Sequence, residues 1–195
     1  HRELGQAREA AAVHAEIIGD IHALPAGRHF LCHPADQGWR FLEAGKQPAA
    51  GWQTADFDDG GWQAGSGHFG YGDGDEDIEL PFGTNPDAKP MSYYFRTTFE
   101  LGEPVVDAVL NLIRDDGAIV YLNGQELLRS NLPEGEIDAT TPASGTVNEY
   151  ESFVLRQSID PNLFVAGINV IAAEVHQSSP ASSDLSFQLA ITVAD

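Results

Sequence analysis

The stretch LNLIRDDGAIVYLNGQELLR, residues 110–129, decides how the rest of the chain is interpreted. Apolar residues alternate on both sides of an acidic segment at residues 114–117, and a second break follows at Asn123-Gly124. Asn-Gly between apolar runs is a strong hairpin signal, because both residues accept the positive φ of a type I′ turn. The stretch therefore predicts a β-meander with an acidic turn at one end and a tight turn at the other.

Further strand-like segments lie on both sides of this meander. Aromatic and β-branched residues dominate residues 91–101, and residues 168–175 form an almost continuous apolar run that is typical of a central strand. Residues 185–193 alternate between apolar and polar positions. About eight strands without a helix after residue 27 predict an all-β fold, a two-sheet antiparallel β-sandwich over residues 30–195.

The N-terminal residues follow a different pattern. Apolar side chains recur at three- and four-residue spacings in an alanine-rich segment, at Val13, Ile17, Ile21 and Leu24. Pro25 follows this segment. The pattern predicts an N-terminal α-helical extension at residues 1–29.

Inside this extension, Gly19-Asp20-Ile21-His22 matches the first metal-binding motif of metallophosphoesterases. Such a site needs several converging ligands, and no second motif of that kind follows in the sequence. A fragment of a metal-dependent phosphoesterase that uses Asp20 and His22 is therefore the lesser alternative.

Four segments resemble the galactose-binding-domain-like jelly rolls that accompany many secreted bacterial hydrolases and surface proteins. They are DFDDGGWQAGSGHFGYGDGDE (56–76), YYFRTTFEL (93–101), RDDGAIVYLNGQELLRSNLP (114–133) and GINVIAAEVHQSSPASSDLSF (167–187). They are also similar to the sugar-binding domain of retaining β-galactosidases. The resemblance implies a jelly-roll fold, and since such domains include sugar binders, calcium-stabilised spacers and packing domains, the site must decide the function.

Composition excludes several partners. The chain of 195 residues has 30 acidic and 10 basic residues, a net charge of -20. This charge disfavours nucleic acid and anionic membranes, and no apolar run is long enough for a membrane helix. Cys32 is the only cysteine, so no intrachain disulfide forms. The chain begins at His1 without a signal-peptide pattern, which we interpret as a processed product or part of a longer protein.

Candidate ligand-binding residues lie in the predicted loops. Trp62 and Tyr71 offer rings that can stack on a sugar, and the charged candidates are Arg114, Asp115, Asp116, His176 and Asp184. Arg114 and the carboxylates could bond vicinal hydroxyls if the loops converge. The competing interpretation is an internal network in which Asp184 accepts from His176 or Arg114, because a buried cation needs a partner.

The acidic loop at residues 73–79 is the candidate metal site. Asp73, Asp75 and Asp77 alternate like the first ligands of a calcium loop, although the helices and terminal glutamate of an EF-hand are missing. The alternative is a solvated loop. Ca²⁺ is the cofactor that this loop suggests.

No acid, base and nucleophile have supporting sequence context, so we expect no enzyme activity. A set of Ser178, His176 and Asp184 lacks a nucleophile-elbow sequence. The sequence favours a noncatalytic accessory module of a larger secreted or cell-surface bacterial protein, for carbohydrate binding or surface targeting. The alternative is a ligand-free structural spacer or a protein-docking domain. An exposed aromatic pair beside a groove favours the first, and burial of Trp39, Trp52 and Trp62 favours the second.

Overall fold

The computed structural model describes residues 27–32, 38–147 and 155–194. Within these ranges the chain forms twelve strands in two sheets and one short 3₁₀ helix, Pro161–Leu163. The predicted extension at residues 1–29, with Asp20 and His22, lies outside the described residues except for residues 27–29, and Arg28 and His29 belong to a strand. No helix in the described part of the chain is long and apolar enough to cross a membrane.

The first sheet is built around the last strand in sequence. Its members are β1 (Arg28–Cys32), β4 (Phe69–Tyr71), β5 (Ile78–Glu79), β7 (Asp107–Asp115), β10 (Leu155–Ile159) and β12 (Leu185–Ala194). The order is β10-β7-β12-β4-β5, and β1 also pairs with β12. β12 pairs with β7 through residues 186–194, while β4 pairs with residues 185–187 and β1 with residues 191–194.

The second sheet places β11 between two long partners. Its members are β2 (Trp39–Phe41), β3 (Gln63–Gly65), β6 (Ser92–Leu101), β8 (Gly117–Leu122), β9 (Gln125–Ser130) and β11 (Gly167–His176). The order is β3-β2-β6-β11-β8-β9, so the apolar run of β11 is a central strand, as predicted. All pairings in both sheets are antiparallel except β4 with β5. The predicted all-β, two-sheet sandwich is confirmed.

Aromatic side chains from both sheets form the core. Phe95 of β6 stacks on Phe187 of β12, with ring centroids 4.3 Å apart, and Trp39 of β2 meets the edge of Phe187 at 5.3 Å. β4 approaches β12 so closely at Gly70 that a Cβ there would overlap the carbonyl oxygen of Leu185. The alternating apolar residues of the strands therefore meet between the sheets, as period-two patterning requires.

One half of the predicted meander is confirmed and the other half is wrong. Asn123 and Gly124 have φ angles of 53° and 85° and join β8 to β9, as a type I′ hairpin turn requires. Residues 114–117, however, do not form a hairpin, because β7 pairs in the first sheet and β8 in the second. The acidic segment is where the chain passes from the first sheet to the second, and Asp116 is the one residue between β7 and β8.

Candidate functional site

The predicted aromatic platform does not assemble. Trp62 packs with Trp52 and Tyr94 outside the second sheet, whereas Tyr71 belongs to the core between the sheets. Their exposed fractions are 8% and 1%, so neither ring presents a face for stacking. Tyr71 instead accepts a hydrogen bond from Gln177 Nε2 at 2.6 Å. Trp39 and Trp52 are buried as well, which favours a structural role for the tryptophans.

A buried arginine holds the loop that carries these tryptophans. Arg96 of β6 donates from Nε to Asp59 Oδ2 at 2.8 Å and from Nη1 to the carbonyl oxygen of Trp52 at 2.7 Å. The Trp52 and Trp62 rings stack with centroids 6.3 Å apart, on the side of the second sheet that faces away from the core. The loop of residues 52–62 is thus fixed onto the outer face of this sheet.

The charged candidates at the crossover are used internally. Asp116 accepts from the backbone N–H groups of Val147 at 2.8 Å and Ser178 at 2.7 Å, so its two carboxylate oxygens join two different loops. Burial alone would raise the pKa of Asp116, but hydrogen bonds from Asp115, Ser178 and Val147 outweigh it and lower the pKa. Arg114 Nε donates to Ser130 Oγ at 3.0 Å.

Asp115 behaves in the opposite way to its neighbour. Burial, followed by the hydrogen bond and negative charge of Asp116, raises the pKa of Asp115 to about 9. The two acids therefore differ in protonation at neutral pH, with the proton on Asp115. Asp184 accepts from Ser183 Oγ at 2.9 Å, and its carbonyl oxygen accepts from Gln177 Nε2 at the same distance. Within the described residues, neither His176 nor Arg114 donates to Asp184, so the predicted pairing is replaced by local bonds.

His176 belongs to a hydrogen-bonded row rather than to a triad. Its Nδ1 lies 2.8 Å from the carbonyl oxygen of Thr141, and since a carbonyl only accepts, Nδ1 carries a proton. Its Nε2 lies 3.3 Å from Glu174 Oε2. Tyr121 Oη donates to the other oxygen of Glu174 at 2.5 Å. Both ring nitrogens are thus engaged away from Ser178, and the Ser178-His176-Asp184 arrangement does not form.

The row ends at a cleft on the outer face of the second sheet. The cleft has a volume of about 610 Å³ and is lined by Trp52, Tyr94, Tyr121, Glu174, the loop of residues 47–53 and the segment 135–138. Tyr94 and Tyr121 meet Trp52 edge to face at centroid distances of 5.3 and 5.7 Å. Burial and the carboxylate of Glu174 raise the pKa of Tyr121, which stays a neutral donor. A volume of this size is within the usual range of small-molecule sites.

Tyr94, Tyr121 and Glu174 were not among the residues predicted from the sequence. Period-two alternation was the available signal, since Tyr94 follows the core residue Tyr93 and Tyr121 follows the core residue Val120. Glu174 was visible as a single acid within the apolar run of β11. A buried acid in a central strand needs polar partners, and these define the row.

The acidic loop gathers a different set of carboxylates from the predicted one. One oxygen each from Asp73, Asp75 and Glu76 lie within 4.8 Å of one another. Asp77 is not in this group, because its Oδ2 accepts from the backbone N–H of His68 at 2.8 Å. Glu76 also accepts from the backbone of Asp73 and Gly74 at 3.0 and 2.9 Å, which closes the loop on itself.

Asp73 is the most perturbed acid of this loop. The residue is exposed, but its carboxylate lies against Ser186, whose Oγ donates at 3.2 Å. This partial burial, with the negative charge of Asp184, raises the pKa of Asp73 to about 6. The donor set is all oxygen, as Ca²⁺ prefers, and calcium binding by Asp73, Asp75 and Asp77 stays a prediction.

No protein-family model and no curated protein sequence matches this chain. Among solved structures, a β-glucuronidase from Ruminococcus gnavus matches 88% of this chain and 30% of its own, at 13% identity and a TM-score of 0.52. A β-glucuronidase from glycoside hydrolase family 2 matches 78% of this chain and 14% of its own, at 19% identity and a TM-score of 0.48. The first likeness shows a shared fold, and this chain spans less than a third of either solved chain.

Proposed function

We propose that this chain is a noncatalytic accessory module of a larger secreted or cell-surface bacterial protein, and that it binds a carbohydrate in the cleft beside Trp52. The cleft carries this proposal, because it combines aromatic ring edges with hydrogen-bonding groups on a rigid sheet. Sugars bind to such mixtures through C–H contacts with rings and hydrogen bonds with carboxylates and hydroxyls.

Three features support recognition rather than catalysis. Asp116 is saturated by backbone donors, His176 has both ring nitrogens engaged, and Asp115 is buried. A catalytic acid or base must reach a substrate proton, and these groups face other parts of the same chain. The shared fold with part of a longer β-glucuronidase chain also supports an accessory role.

The burial of Trp39, Trp52, Trp62 and Tyr71 favours a second candidate, a structural spacer or docking domain without a ligand of its own. In that case the cleft is only the gap between the 52–62 loop and the sheet. The acidic loop fits either candidate, since we propose that Ca²⁺ held by Asp73 and Asp75, with Asp77 or Glu76, would stabilise it.

Calorimetry on the full chain against plant, algal and bacterial oligosaccharides separates the two candidates. We expect dissociation constants on the order of millimolar to tens of micromolar, as for a sugar held by ring contacts and a few hydrogen bonds. Tyr121→Phe removes the hydroxyl that lines the cleft and should weaken binding by roughly two- to tenfold.

Tyr71→Phe is the matched control, because it removes a buried hydroxyl of the same kind from the core. It should leave affinity unchanged. Absence of binding across the whole panel would reject the carbohydrate proposal and leave the spacer.

A further inference from the structure

We infer that the cleft selects glycans by charge, binding sugars with a free amine in preference to neutral sugars and excluding uronic acids. This inference rests on the proposed function and names the class of carbohydrate. Its basis is the net charge of the side chains that line the cleft, which is negative.

The arginine at the cleft already bonds to other groups of the chain. Among the described residues that line the cleft, Arg129 is the single lysine or arginine. Its Nε and Nη2 donate to the two carboxylate oxygens of Glu126 at 2.9 and 2.7 Å, and its Nη1 donates to the carbonyl oxygen of Pro133 at 2.7 Å. A uronate needs a cation with unmatched charge, and Arg129 has its charge matched by Glu126 and three of its five N–H donors already in use.

The acids at the cleft outnumber this cation. Glu136, Asp138 and Glu174 all line it. Glu174 has both carboxylate oxygens in contact with groups of the same chain, Tyr121 Oη and His176 Nε2. Hydrogen bonds from the side chain and backbone of Thr140 lower the pKa of Asp138, which keeps it ionised at neutral pH. Glu136 and Asp138 therefore leave two negative charges even when every other charged group at the cleft is balanced.

The geometry makes these charges effective toward a bound ligand. Glu136 and Asp138 lie on the segment 135–138, which lines the cleft together with the loop that carries Trp52. A sugar seated in the cleft would bring its substituents toward these carboxylates. Because both acids are exposed, water and salt screen them, so we expect a preference of about five- to tenfold for an amine over a hydroxyl.

Three oligosaccharides with one backbone test this inference. They are β-1,4-linked tetramers of glucose, of glucosamine with free amines, and of glucuronic acid, which differ mainly in charge. Calorimetry at low ionic strength, below the pKa of the sugar amine, should give affinities in the order amine, neutral and acid. Added salt should reduce the difference.

The double variant Glu136→Gln with Asp138→Asn should abolish the preference while it leaves the affinity for the neutral tetramer unchanged. The amide that replaces the Asp138 carboxylate keeps an oxygen that can accept from Thr140, so the turn stays intact. Glu100→Gln with Glu103→Gln changes the net charge equally on exposed residues at another pocket and should keep the preference.

Equal affinities for the three tetramers, tighter binding of the acid, or a preference lost equally in both double variants would overturn the inference. The proposed function would survive any of these results, since a sugar is still bound. If no tetramer and no member of the wider panel binds, the proposed function and the inference both fail.

Discussion

Asp116 and Glu174 are far apart in sequence but are brought near each other by the pairing of β8 with β11, and they use their carboxylates in opposite ways. Asp116, at the crossover between the sheets, accepts from two backbone N–H groups in two loops. Glu174, on the outer face of β11, accepts from a tyrosine that borders an open cleft. The crossover is closed on itself, whereas the sheet face keeps room for another molecule. On this sandwich the acidic crossover holds loops in place, and the acid that borders the candidate ligand site lies on a strand.

Backbone geometry explains the difference. A chain that leaves one sheet for another loses the ladder partners of its backbone, and nearby carboxylates satisfy the donors of neighbouring loops. In the middle of a strand the ladder is complete, so side chains alone decide what the outer face offers. Mutations at the closed crossover and at the open face should therefore have separate effects.

Loss of Arg96 should have the largest effect, because it removes the anchor of the loop that forms one cleft wall. Arg96→Met leaves Asp59 and the carbonyl oxygen of Trp52 without their donors, and we expect a loss of about 3 kcal/mol in unfolding free energy. Urea denaturation measures the change. Arg129→Met, which breaks a more exposed pair, is the control and should cost less than about 1 kcal/mol. Equal losses in both variants would contradict the anchoring role.

Asp116→Asn should destabilise the crossover without affecting the cleft. The amide offers one acceptor oxygen where the carboxylate offers two, so either the Val147 or the Ser178 N–H loses its partner. We expect a cost of about 2 kcal/mol, or a melting temperature lower by about 4–8 °C. Asp58→Asn is the control, since a single exposed N–H bonds to Asp58 and the amide oxygen can replace it. An unchanged melting temperature for Asp116→Asn would show that the crossover does not depend on this carboxylate.

Asp115 should make stability depend on pH. Its pKa is about 9 in the fold and near 4 in the unfolded chain, so the folded state binds one more proton between these values. The contribution of this group to stability is therefore greatest at low pH, and it falls as the pH rises between these two pKa values by up to about 1.4 kcal/mol per pH unit. Asp115→Asn removes this dependence, and its advantage over the wild type should grow from pH 5 to pH 8 in denaturation curves. A constant difference across that range would reject the assignment.

Calcium should give the smallest effect, at the acidic loop that contacts Ser186 near the beginning of β12. If Asp73 and Asp75 share an ion, millimolar Ca²⁺ should raise the melting temperature by a few degrees relative to chelator at matched ionic strength, on the order of 1 kcal/mol. Asp73→Asn should abolish the shift, and the exposed acid variant Glu103→Gln should keep it. Identical melting curves with Ca²⁺ and with chelator would show that the loop binds no calcium and is simply solvated.

Much of the fold was readable from the sequence, because local patterns determine strands and tight turns. The Asn123-Gly124 hairpin and the central strand β11 follow from turn chemistry and an apolar run. The crossover could not be predicted, since the sequence of a turn between apolar runs is the same whether the two strands pair with each other or enter different sheets. Pairing depends on partners far away in the chain, such as β12 for β7.

The candidate site was less predictable than the fold. Trp62 and Tyr71 were selected by residue type, but Trp62 lies in the loop packed on the outer face of the second sheet, whereas Tyr71 of β4 faces the core between the sheets. Tyr121 and Glu174 meet because β8 pairs with β11, with Ile119 opposite Glu174 and Tyr121 opposite Ala172. This register places the side chains of Tyr121 and Glu174 on one face of the sheet. It cannot be derived without knowing that β8 pairs with β11.

The position of β12 has a consequence for how the protein is made. β12 is synthesised after its three partners, yet it lies between β7 on one side and β1 and β4 on the other. The first sheet therefore stays in separate pieces on the ribosome until β12 has left the exit tunnel. Pairings over such long sequence separations form slowly, and β7 meanwhile has an edge without its partner. Nascent chains stalled before residue 185 should accordingly be sensitive to protease and prone to association, whatever the stability of the finished fold.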